Sequence, residues 1–312
     1  MNRNISIAMT TYNGERYLRE QLDSIYAQTL APDEVIVVDD CSTDNTQNIL
    51  KEYQQLYGLK YYINERNLGV NKNFEKAISL CSGGYIALSD QDDVWMPYKL
   101  ERSYQKLFTI SSSVPALVSS ARIDVDEQLR SVTGSHPVPD SDSFLTTLLG
   151  HNSQGCSMMF NRALARKIIP IPPDKEIMFD LYIGLTAAMT GYKYYIGEPL
   201  FYYRHHSANV YARFKSENPS FFKKMRERSV NRFPKLFKEE RFGNMKAVAL
   251  RQSENFIPER RSIFFKLLSL NENKAYIRKL GTILSLKEIP FYKRCLIVCD
   301  TMISNVFRFC FL

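Results

Sequence analysis

The chain has 312 residues, of which 45% are hydrophobic and 24% are charged, and this composition is ordinary for a globular protein with a substantial core. It contains no internal repeat and no low-complexity segment, which excludes repeat architectures and compositionally biased proteins. The net charge of +8 is unevenly distributed: residues 1–211 carry 19 Lys and Arg against 24 Asp and Glu, whereas residues 212–312 carry 22 against 9. We therefore predict a main domain over 1–211 and a separate basic extension over 212–312.

Cysteine usage and the apolar segments bear on the compartment. The six cysteines form no Cys-x-x-Cys pair and no framework spacing, so we expect reduced thiols. The sequence enters a strand directly after Met-Asn-Arg-Asn, without an apolar signal segment. It also lacks an uninterrupted apolar run of the roughly 18 residues that a spanning helix needs. A cytoplasmic protein is therefore expected.

In the first 110 residues, predicted strands alternate with predicted helices. Apolar and β-branched runs predict the strands, and the helical spacing of apolar residues predicts the helices. In chain order the segments are strand 5–9, helix 15–28, strand 34–38, helix 47–55, strand 60–63, helix 71–81 and strand 85–88. This alternation indicates right-handed crossovers and an α/β fold with a mostly parallel sheet flanked by helices.

Residues 111–211 are less regular and form the second half of the predicted main domain. The expected elements are strands 116–121 and 156–160, helices 162–168 and 180–190, and two short strands between 192 and 203. Residues 131–143 are predicted to form a loop because of their Pro, Ser, Asp and His content. Gly191 is the expected end of the second helix.

The most informative motif is the acidic loop, residues 89–95, which directly follows the strand predicted over 85–88. Its three carboxylates, Asp90, Asp92 and Asp93, repel one another at the strand end. A bound divalent cation removes this cost, because Mg²⁺ takes oxygen ligands from one or two carboxylates together with substrate phosphates. A solvated acidic turn is the alternative, but the buried strand before the acids favours a metal–diphosphate site.

Polar residues also end the other predicted strands. Asn13, Asp39, Asp40 and Asn67 lie in the loops that follow the first three strands. Ligands of mostly parallel sheets bind beyond the carboxyl ends of the strands, so these loops and the acidic loop should converge on one crevice. Neither a Gly-x-Gly-x-x-Gly nor a Gly-x-x-x-x-Gly-Lys-Ser/Thr pattern follows a strand, and a dinucleotide fold or a phosphate-loop ATPase is not supported.

Four motifs in this order resemble those of family 2 nucleotide-sugar glycosyltransferases. They are Ile5 to Leu18, Val35 to Thr46 with its Asp39-Asp40-x-Ser42-x-Asp44-x-Thr46 pattern, Asn67-Leu68-Gly69, and Ala87 to Trp95. The last motif resembles the subgroup that includes bacterial rhamnosyltransferases, and the resemblance covers about residues 4–210. It implies a GT-A fold, an inverting mechanism and a divalent cation, either Mg²⁺ or Mn²⁺.

The resemblance also implies roles on the donor side. The nucleotide-sugar contacts would be Thr11, Tyr12, Asn13, Asp39, Asp40, Asn67, Asp90, Arg204 and His206, and the metal ligands would be Asp92, Asp90 and His206. Asp39 would accept hydrogen bonds from the base or ribose, and Asp92 would be the more direct metal ligand. The alternatives are that Asp40 and Ser42 merely cap the following helix, and that the pair of histidines lies in a solvated loop.

On the acceptor side, the resemblance implies that Asp180 is the catalytic base, which takes the proton of the attacking hydroxyl group. Relatives usually carry an acidic or His residue where this chain has Phe179, and an apolar neighbour would raise the pKa of Asp180 by desolvation. A plain N-cap aspartate is the alternative. Trp95 would either stack on a sugar face or pack beneath the acidic loop, and His151 falls where the acceptor wall would begin.

The extension beyond Val210 interleaves Lys and Arg with aromatic residues, a pattern typical of nucleic-acid or anionic membrane surfaces. No nucleic-acid module is visible, and no nucleic-acid partner is expected. In the apolar stretch 293–312, Asp300 and Arg308 argue against a membrane span but permit a helix lying in the interface. A solvated helical appendage is the alternative. We expect peripheral attachment to the inner face of the plasma membrane, because acceptors of such enzymes are often lipid-linked sugars.

The sequence therefore predicts an inverting, metal-dependent glycosyltransferase that acts on a glycan or lipid-linked acceptor in bacterial surface polysaccharide synthesis. A sugar nucleotidyltransferase is one rival, but it commonly has a Gly-rich loop with a Lys or Arg, which residues 10–14 lack. A glycoside hydrolase needs carboxylates separated by a sugar ring, and those at 90–93 are too clustered. A non-catalytic sugar-binding assembly subunit is the third rival, which the intact Asp92 and Asp180 argue against.

Overall fold

The computed structural model describes residues 4–132, 147, 154–206 and 239–261. The strands are β1 (Ile5–Thr11), β2 (Glu34–Asp39), β3 (Lys60–Ile63), β4 (Tyr85–Ser89), β5 (Val94–Trp95), β6 (Ala116–Val125), β7 (Met159–Asn161) and β8 (Tyr192–Arg204). The helices are α1 (Leu18–Tyr26), α2 (Thr46–Tyr57), α3 (Val70–Leu80), α4 (Lys99–Phe108), α5 (Arg162–Ile168), α6 (Phe179–Thr190) and α7 (Glu239–Gln252), with short 3-10 helices at Gly155–Ser157 and Ser253–Asn255. The α/β class predicted from the sequence is confirmed.

The eight strands form one sheet in the order β3-β2-β1-β4-β7-β6-β8-β5. The first four strands are mutually parallel, and Thr11 of β1 lies beside Asp39 of β2 at the end of their ladder. β6 and β8 are also parallel to each other, whereas β7 and β5 run antiparallel to their neighbours. The carboxyl ends of β1, β2, β4, β6 and β8 therefore face the same edge of the sheet.

Strands β1, β2 and β4 of the parallel half are buried on both faces, which explains why they are nearly continuous apolar runs, whereas the edge strand β3 is largely exposed. In β2, the side chains from Val35 to Val38 are all less than 5% exposed. In α1, the residues Leu18, Leu22 and Ile25 recur at helical spacing and are completely buried against the sheet. This packing fixes the strand ends from which the polar loops leave.

Two parts of the main domain differ from the prediction because of local backbone geometry. α1 begins at Leu18 rather than at residue 15, because the N–H groups of Tyr17 and Leu18 both donate to Gly14 O at 3.1 Å and form a turn before the helix. β8 is one strand of 13 residues rather than two short ones. Its register against β6 shifts at Gly197-Glu198, and this irregularity accommodates Pro199 within the strand.

β5 and α4 were not predicted. β5 has only two residues, Val94 and Trp95, and it forms because they pair with Tyr202 and Phe201 of β8 more than a hundred positions later. α4 buries Leu100 and Leu107 against the main core, but these two apolar residues alone give a weak helical pattern among charged neighbours. The acidic loop therefore lies between two strands of the same sheet.

The first compact unit of the chain runs to His205 apart from residues 148–150, and a second unit begins at His206. Of the basic extension predicted over 212–312, the described residues contain α7 and a following 3-10 helix. Among the helices that the structure describes, none has both the length and the apolar character needed to cross a bilayer. Most of the loop predicted over 131–143 and the apolar stretch 293–312 lie outside the described residues.

Candidate active site

Asp39 joins the loop after β1 to the loop after β2. Its side chain is completely buried, and Oδ1 accepts hydrogen bonds from Thr11 Oγ1 at 2.7 Å and from Ser42 Oγ at 2.5 Å, while Oδ2 accepts from Ser42 N at 2.9 Å. Ser42 is therefore not the cap of α2, which begins after Asn45. Asp39 thus joins the loops that follow β1 and β2. Its contact with a base or ribose stays a prediction.

Asp40 organises the loop between β3 and α3. Oδ1 accepts from Asn64 Nδ2 and from Leu68 N, both at 2.8 Å, and Oδ2 accepts from Gly69 N at 3.0 Å. Asn67 Nδ2 lies 3.5 Å from Asp40 O. The alternative of a cap for α2 is thus wrong for Asp40, because its carboxylate bonds to the next loop instead.

Gln91 connects the first loop to the acidic loop, and the sequence did not single it out. Its Oε1 accepts from Tyr12 N at 2.8 Å, and its Nε2 donates to Tyr12 O at 3.0 Å. A Cβ atom at Gly14 would lie 2.3 Å from Gln91 Oε1, so a larger residue there would displace the Gln91 amide. Asn13 has a positive φ of 48° and accepts from Thr43 N through Oδ1 at 2.9 Å. The Tyr12 side chain is 45% exposed at this rim.

The carboxyl groups of the acidic loop differ in burial: Asp90 and Asp92 are partly exposed, whereas Asp93 is buried. Ligand atoms of Asp90, Asp93 and Cys156 all lie within 4.8 Å of one another. Burial, and then repulsion by Asp92, raises the pKa of Asp90 to about 7. Asp93 is completely buried, its Oδ2 has no hydrogen-bond partner in the described part of the chain, and burial together with Asp92 and Asp90 raises its pKa well above the usual range. The structure thus favours the neutral, protonated form of the Asp93 side chain.

Lys99, the first residue of α4, is a buried cation beneath the acidic loop that the sequence did not reveal. Its Nζ donates to Cys156 O at 2.5 Å and lies 3.7 Å from the centre of the Trp95 ring. Burial lowers the pKa of Lys99 to about 8, against the opposing effect of Asp93 and Asp90. Trp95 is only 3% exposed, which favours the alternative that it packs beneath the loop over the alternative that it stacks on an acceptor sugar.

Arg204 supports the acidic loop through hydrogen bonds to its backbone and to one of its side chains. Its guanidinium donates to Asp92 O at 3.0 Å, to Glu127 O at 2.6 Å and to Glu20 Oε2 at 2.6 Å. Its backbone N–H donates to Asp93 Oδ1 at 3.3 Å. Arg204 is 1% exposed. The structure therefore gives the Arg204 guanidinium a supporting role through buried bonds to protein atoms, and its contact with the diphosphate stays a prediction.

We expect Arg204→Met to destabilise the fold by about 2–4 kcal/mol, because the carbonyl groups of Asp92 and Glu127 lose their buried donor. Chemical denaturation measures the loss. Arg19→Met is the matched control, since Arg19 makes an exposed bidentate pair with Glu52 and should lose much less. Equal losses in the two variants would contradict the assigned role of Arg204.

Asp180 lies in the first turn of α6, whose N-cap is Met178, so the alternative of a plain N-cap aspartate is wrong. Its Oδ1 accepts from Leu181 N at 2.7 Å, and the Gly155 N–H also favours the ionised form. Burial outweighs these donors and raises the pKa of Asp180 to about 6. A carboxylate with this pKa is ionised at neutral pH yet basic enough to accept a proton.

Of the histidines in and beside the predicted site, His206 and His151 carried predicted roles and His205 did not. His205 Nε2 lies 2.7 Å from Asp124 Oδ1, which also pairs with Arg122 Nε at 2.9 Å. The assignment of His206 to the metal or diphosphate stays a prediction. His151 lies outside the described residues.

A divalent cation fits the donor set of the acidic loop. The charge of Asp92 raises the pKa of Asp90, in addition to burial, so a bound cation would relieve this repulsion. Burial raises the pKa of the Cys156 thiol well above its usual value, and a protonated thiol is a poor ligand. The remaining donors are carboxylate oxygens, which suit Mg²⁺ or Mn²⁺, and Asp90 and Asp92 would hold the ion.

Sequence comparisons link the chain to glycosyltransferases. The family described as "Glycosyl transferase family 2" matches residues 6–169. An uncharacterized glycosyltransferase of Nostoc is 30% identical over 212 residues, which are 66% of each chain. The dTDP-rhamnosyl transferase RfbG of Shigella flexneri is 36% identical over 137 residues, which are 40% of this chain and 47% of RfbG. The chain thus spans less than two thirds of the length of these relatives.

Solved structures with a similar fold include two that hold nucleotide sugars. TarS 1–349 of S. aureus in complex with UDP-GlcNAc has a TM-score of 0.60 at 16% identity and matches 98% of this chain and 91% of TarS 1–349. The mannosyltransferase PcManGT of Pyrobaculum calidifontis in complex with GDP-Man and Mn²⁺ has a TM-score of 0.51 at 17% identity, with 98% and 87% covered. At these identities the likeness concerns the fold alone. The chain belongs to glycosyl transferase family 2, and its fold is of the GT-A type.

Proposed function

We propose that this chain is an inverting, metal-dependent enzyme that moves a sugar from a nucleotide-sugar donor to a glycan or lipid-linked acceptor. The observation that carries the proposal is the proximity of Asp180 to the acidic loop. The Asp180 carboxylate lies close enough to Asp90 to add to the rise in the pKa of Asp90 that burial and Asp92 mainly cause. The 3-10 helix Gly155–Ser157 links the two groups, since the Gly155 N–H lies beside Asp180 and the Cys156 thiol lies beside Asp90.

This arrangement suits an inverting transfer. The acceptor hydroxyl oxygen forms a bond to the anomeric carbon while the bond from that carbon to the diphosphate oxygen breaks on the opposite face, and the hydroxyl proton passes to Asp180. A cation held by Asp90 and Asp92 would neutralise charge on the leaving nucleoside diphosphate. Gln91 and Arg204 keep the loop that carries these two acids in place.

Turnover should fall as the pH is lowered through about 6, because Asp180 must be ionised to accept a proton and its pKa is about 6 rather than the ordinary 3.8. Asp90 also titrates nearby, so the profile of kcat should be measured at saturating Mn²⁺, which would keep Asp90 ionised. Under these conditions, the fall of kcat on the acidic side of the profile reflects the protonation of Asp180. A kcat that stays constant down to about pH 4 would contradict this assignment of the base.

Relatives support the substrate class that we propose. RfbG is a dTDP-rhamnosyl transferase, which supports a hexosyl or rhamnosyl donor. The putative teichuronic acid biosynthesis glycosyltransferase TuaG of Bacillus subtilis, 33% identical over 102 residues, supports a role in bacterial surface polysaccharide synthesis. PcManGT was crystallised with GDP-Man and Mn²⁺, which supports a nucleotide sugar and a divalent cation. We further propose that the enzyme works in the cytoplasm, peripherally on the inner face of the plasma membrane. The excess of Lys and Arg in 212–312 supports attachment to anionic lipid.

A donor panel tests the proposed function. UDP-, dTDP- and GDP-sugars are incubated with the full chain, with and without Mn²⁺ or Mg²⁺, and nucleoside diphosphate release is measured. We expect release from one nucleotide class, dependent on the cation and stimulated by acceptor. Turnover that persists without metal would overturn the metal-dependent mechanism.

The same assay separates the rivals. A sugar nucleotidyltransferase would form nucleotide sugar and pyrophosphate from a nucleoside triphosphate and a sugar phosphate. A non-catalytic sugar-binding subunit would bind donor without release. Anomeric configuration of the product, determined by NMR, tests inversion directly, because a retaining enzyme would preserve the configuration of the donor.

A further inference from the structure

The connecting segment, residues 169–178 between α5 and α6, has no regular secondary structure, and side chains of α3 bind its backbone. Asn71 is completely buried, and its Nδ2 donates to Pro172 O at 2.8 Å and to Ile177 O at 2.7 Å. Its Oδ1 accepts from Phe179 N at 2.9 Å. One side chain thus satisfies three backbone groups that would otherwise be buried without partners.

Further contacts join the same two elements. Lys72 Nζ donates to Ile171 O at 3.0 Å, and Glu75 Oε2 accepts from Ile171 N at 2.6 Å. The rings of Phe74 and Phe179 stack with their centres 4.2 Å apart. α3 therefore fixes both ends of the connecting segment.

The start of α6 depends on Asn71 in particular. The first N–H groups of a helix have no partner within the helix, and Met178 at the N-cap provides no side-chain bond. Asn71, 108 positions earlier in the chain, accepts the hydrogen bond from Phe179 N. The next residue is Asp180, so Asn71 sets the position of the backbone that carries the proposed base.

α3 is also connected to the donor side. It begins immediately after the loop whose Leu68 and Gly69 N–H groups bind the Asp40 carboxylate. Asp174 of the connecting segment accepts from Asn71 N at 2.9 Å. A Cβ atom at Gly69 would lie 2.7 Å from Asp174 Oδ2, so the loop and the segment are in close contact.

We propose that Asn71 is a positioning residue, which holds Asp180 in a fixed place relative to the donor loops through its bonds to the connecting segment and to the start of α6. The inference rests on the proposed function, because it assigns Asn71 a role through the proposed base. Asn71 itself contacts neither substrate nor the reacting atoms. Its effect should therefore appear in the chemical step rather than in donor binding.

The test compares Asn71→Ala with Asn73→Ala. Asn73 lies on the same helix and is also buried, but it bonds to Val38 O and Asn64 Nδ2 instead of the connecting segment. We expect Asn71→Ala to lower kcat by about 10- to 100-fold with the donor KM changed less than about threefold. Asn73→Ala should mainly raise the donor KM. Equal effects of the two variants on kcat, or a normal kcat in Asn71→Ala, would overturn the proposal.

A double variant tests whether Asn71 acts through the base. If it does, adding Asn71→Ala to Asp180→Asn should slow the residual turnover by no more than about twofold. A further loss as large as in the wild-type background would indicate a merely structural role. If Asn71→Ala does not fold, Asp174→Ala replaces it, because Asp174 is exposed and bonds to Asn71 N. We expect this variant to lower kcat about two- to fivefold at unchanged donor KM, and an unchanged kcat would overturn the proposal.

Failure of the inference is distinguishable from failure of the proposed function. Loss of activity in Asp180→Asn together with a normal kcat in Asn71→Ala overturns the role of Asn71 alone. Full activity in Asp180→Asn would overturn the assignment of Asp180 as the base. The proposed function and the positioning role of Asn71 would then fail together.

Discussion

Asp180→Asn should lower kcat by about 10²- to 10⁴-fold, which is the range that a general base contributes. Asparagine has nearly the same shape, and its Oδ1 can still accept the hydrogen bond that Leu181 N donates to Asp180 at 2.7 Å. The start of α6 should therefore be unchanged. What is lost is the basic oxygen that we propose accepts the hydroxyl proton. Nucleoside diphosphate release at saturating donor and acceptor measures the effect.

Donor binding is the control for this variant. Most of the predicted donor contacts lie in the loops after β1, β2 and β3, whereas Asp180 lies in the first turn of α6. The donor affinity of Asp180→Asn should therefore stay within about twofold of wild type. A variant that loses donor affinity and kcat together would indicate a distorted site. A variant with full transfer activity would exclude Asp180 as the base and would favour the nucleotidyltransferase, which needs no base on the acceptor side.

The parallel half of the fold could be predicted because its signals are local. The run from Val35 to Val38 is typical of a strand buried on both faces, and each such strand ends at a polar residue such as Asp39 or Asp90. The rule that parallel strands present their carboxyl ends at one edge then brings the loops together. The sequence also distinguished the acidic loop from an ordinary turn, because a buried strand precedes it.

The contacts that hold the site could not be predicted, because they join residues far apart in the chain. Arg204 bonds to Glu20 across 184 positions, and Asn71 bonds to Phe179 across 108. The periodicity of apolar residues along the sequence does not reveal contacts between residues so far apart. Arg204 therefore resembled a ligand for phosphate, and the structure shows a buried guanidinium that supports the acidic loop. For Lys99, the only available signal was its position shortly after that loop.

Burial also separates neighbouring acids that look equivalent in the sequence. Asp92 and Asp93 are adjacent, but Asp93 is completely buried and Asp92 is partly exposed. Asp93 Oδ1 accepts a hydrogen bond from the backbone N–H of Arg204. The pKa of Asp93 is raised well above the usual range, first by burial and then by Asp92 and Asp90. The folded state thus favours a neutral Asp93, a property that its sequence position does not reveal.

We therefore expect the same substitution to have opposite consequences at these two positions. Asp92→Asn should weaken Mn²⁺ binding and lower kcat by about 10²-fold or more, because it would remove a carboxylate ligand of the cation that we propose stabilises the leaving diphosphate. Asp93→Asn should change kcat less than about threefold, because a neutral amide replaces an acid that is already favoured as neutral. Calorimetric titration of Mn²⁺ and turnover at saturating Mn²⁺ measure both quantities.

The paired comparison controls for chemistry, since both variants make an identical change one residue apart in the same loop. Chelation of the cation should reduce the wild-type rate toward that of Asp92→Asn, and it should have little further effect on that variant. If Asp93→Asn loses Mn²⁺ affinity as strongly as Asp92→Asn, Asp93 is an ionised ligand, and its unpartnered Oδ2 faces the ion. If Asp92→Asn is unaffected, the cation site assigned to Asp90 and Asp92 is wrong, and the diphosphate must be neutralised by other groups.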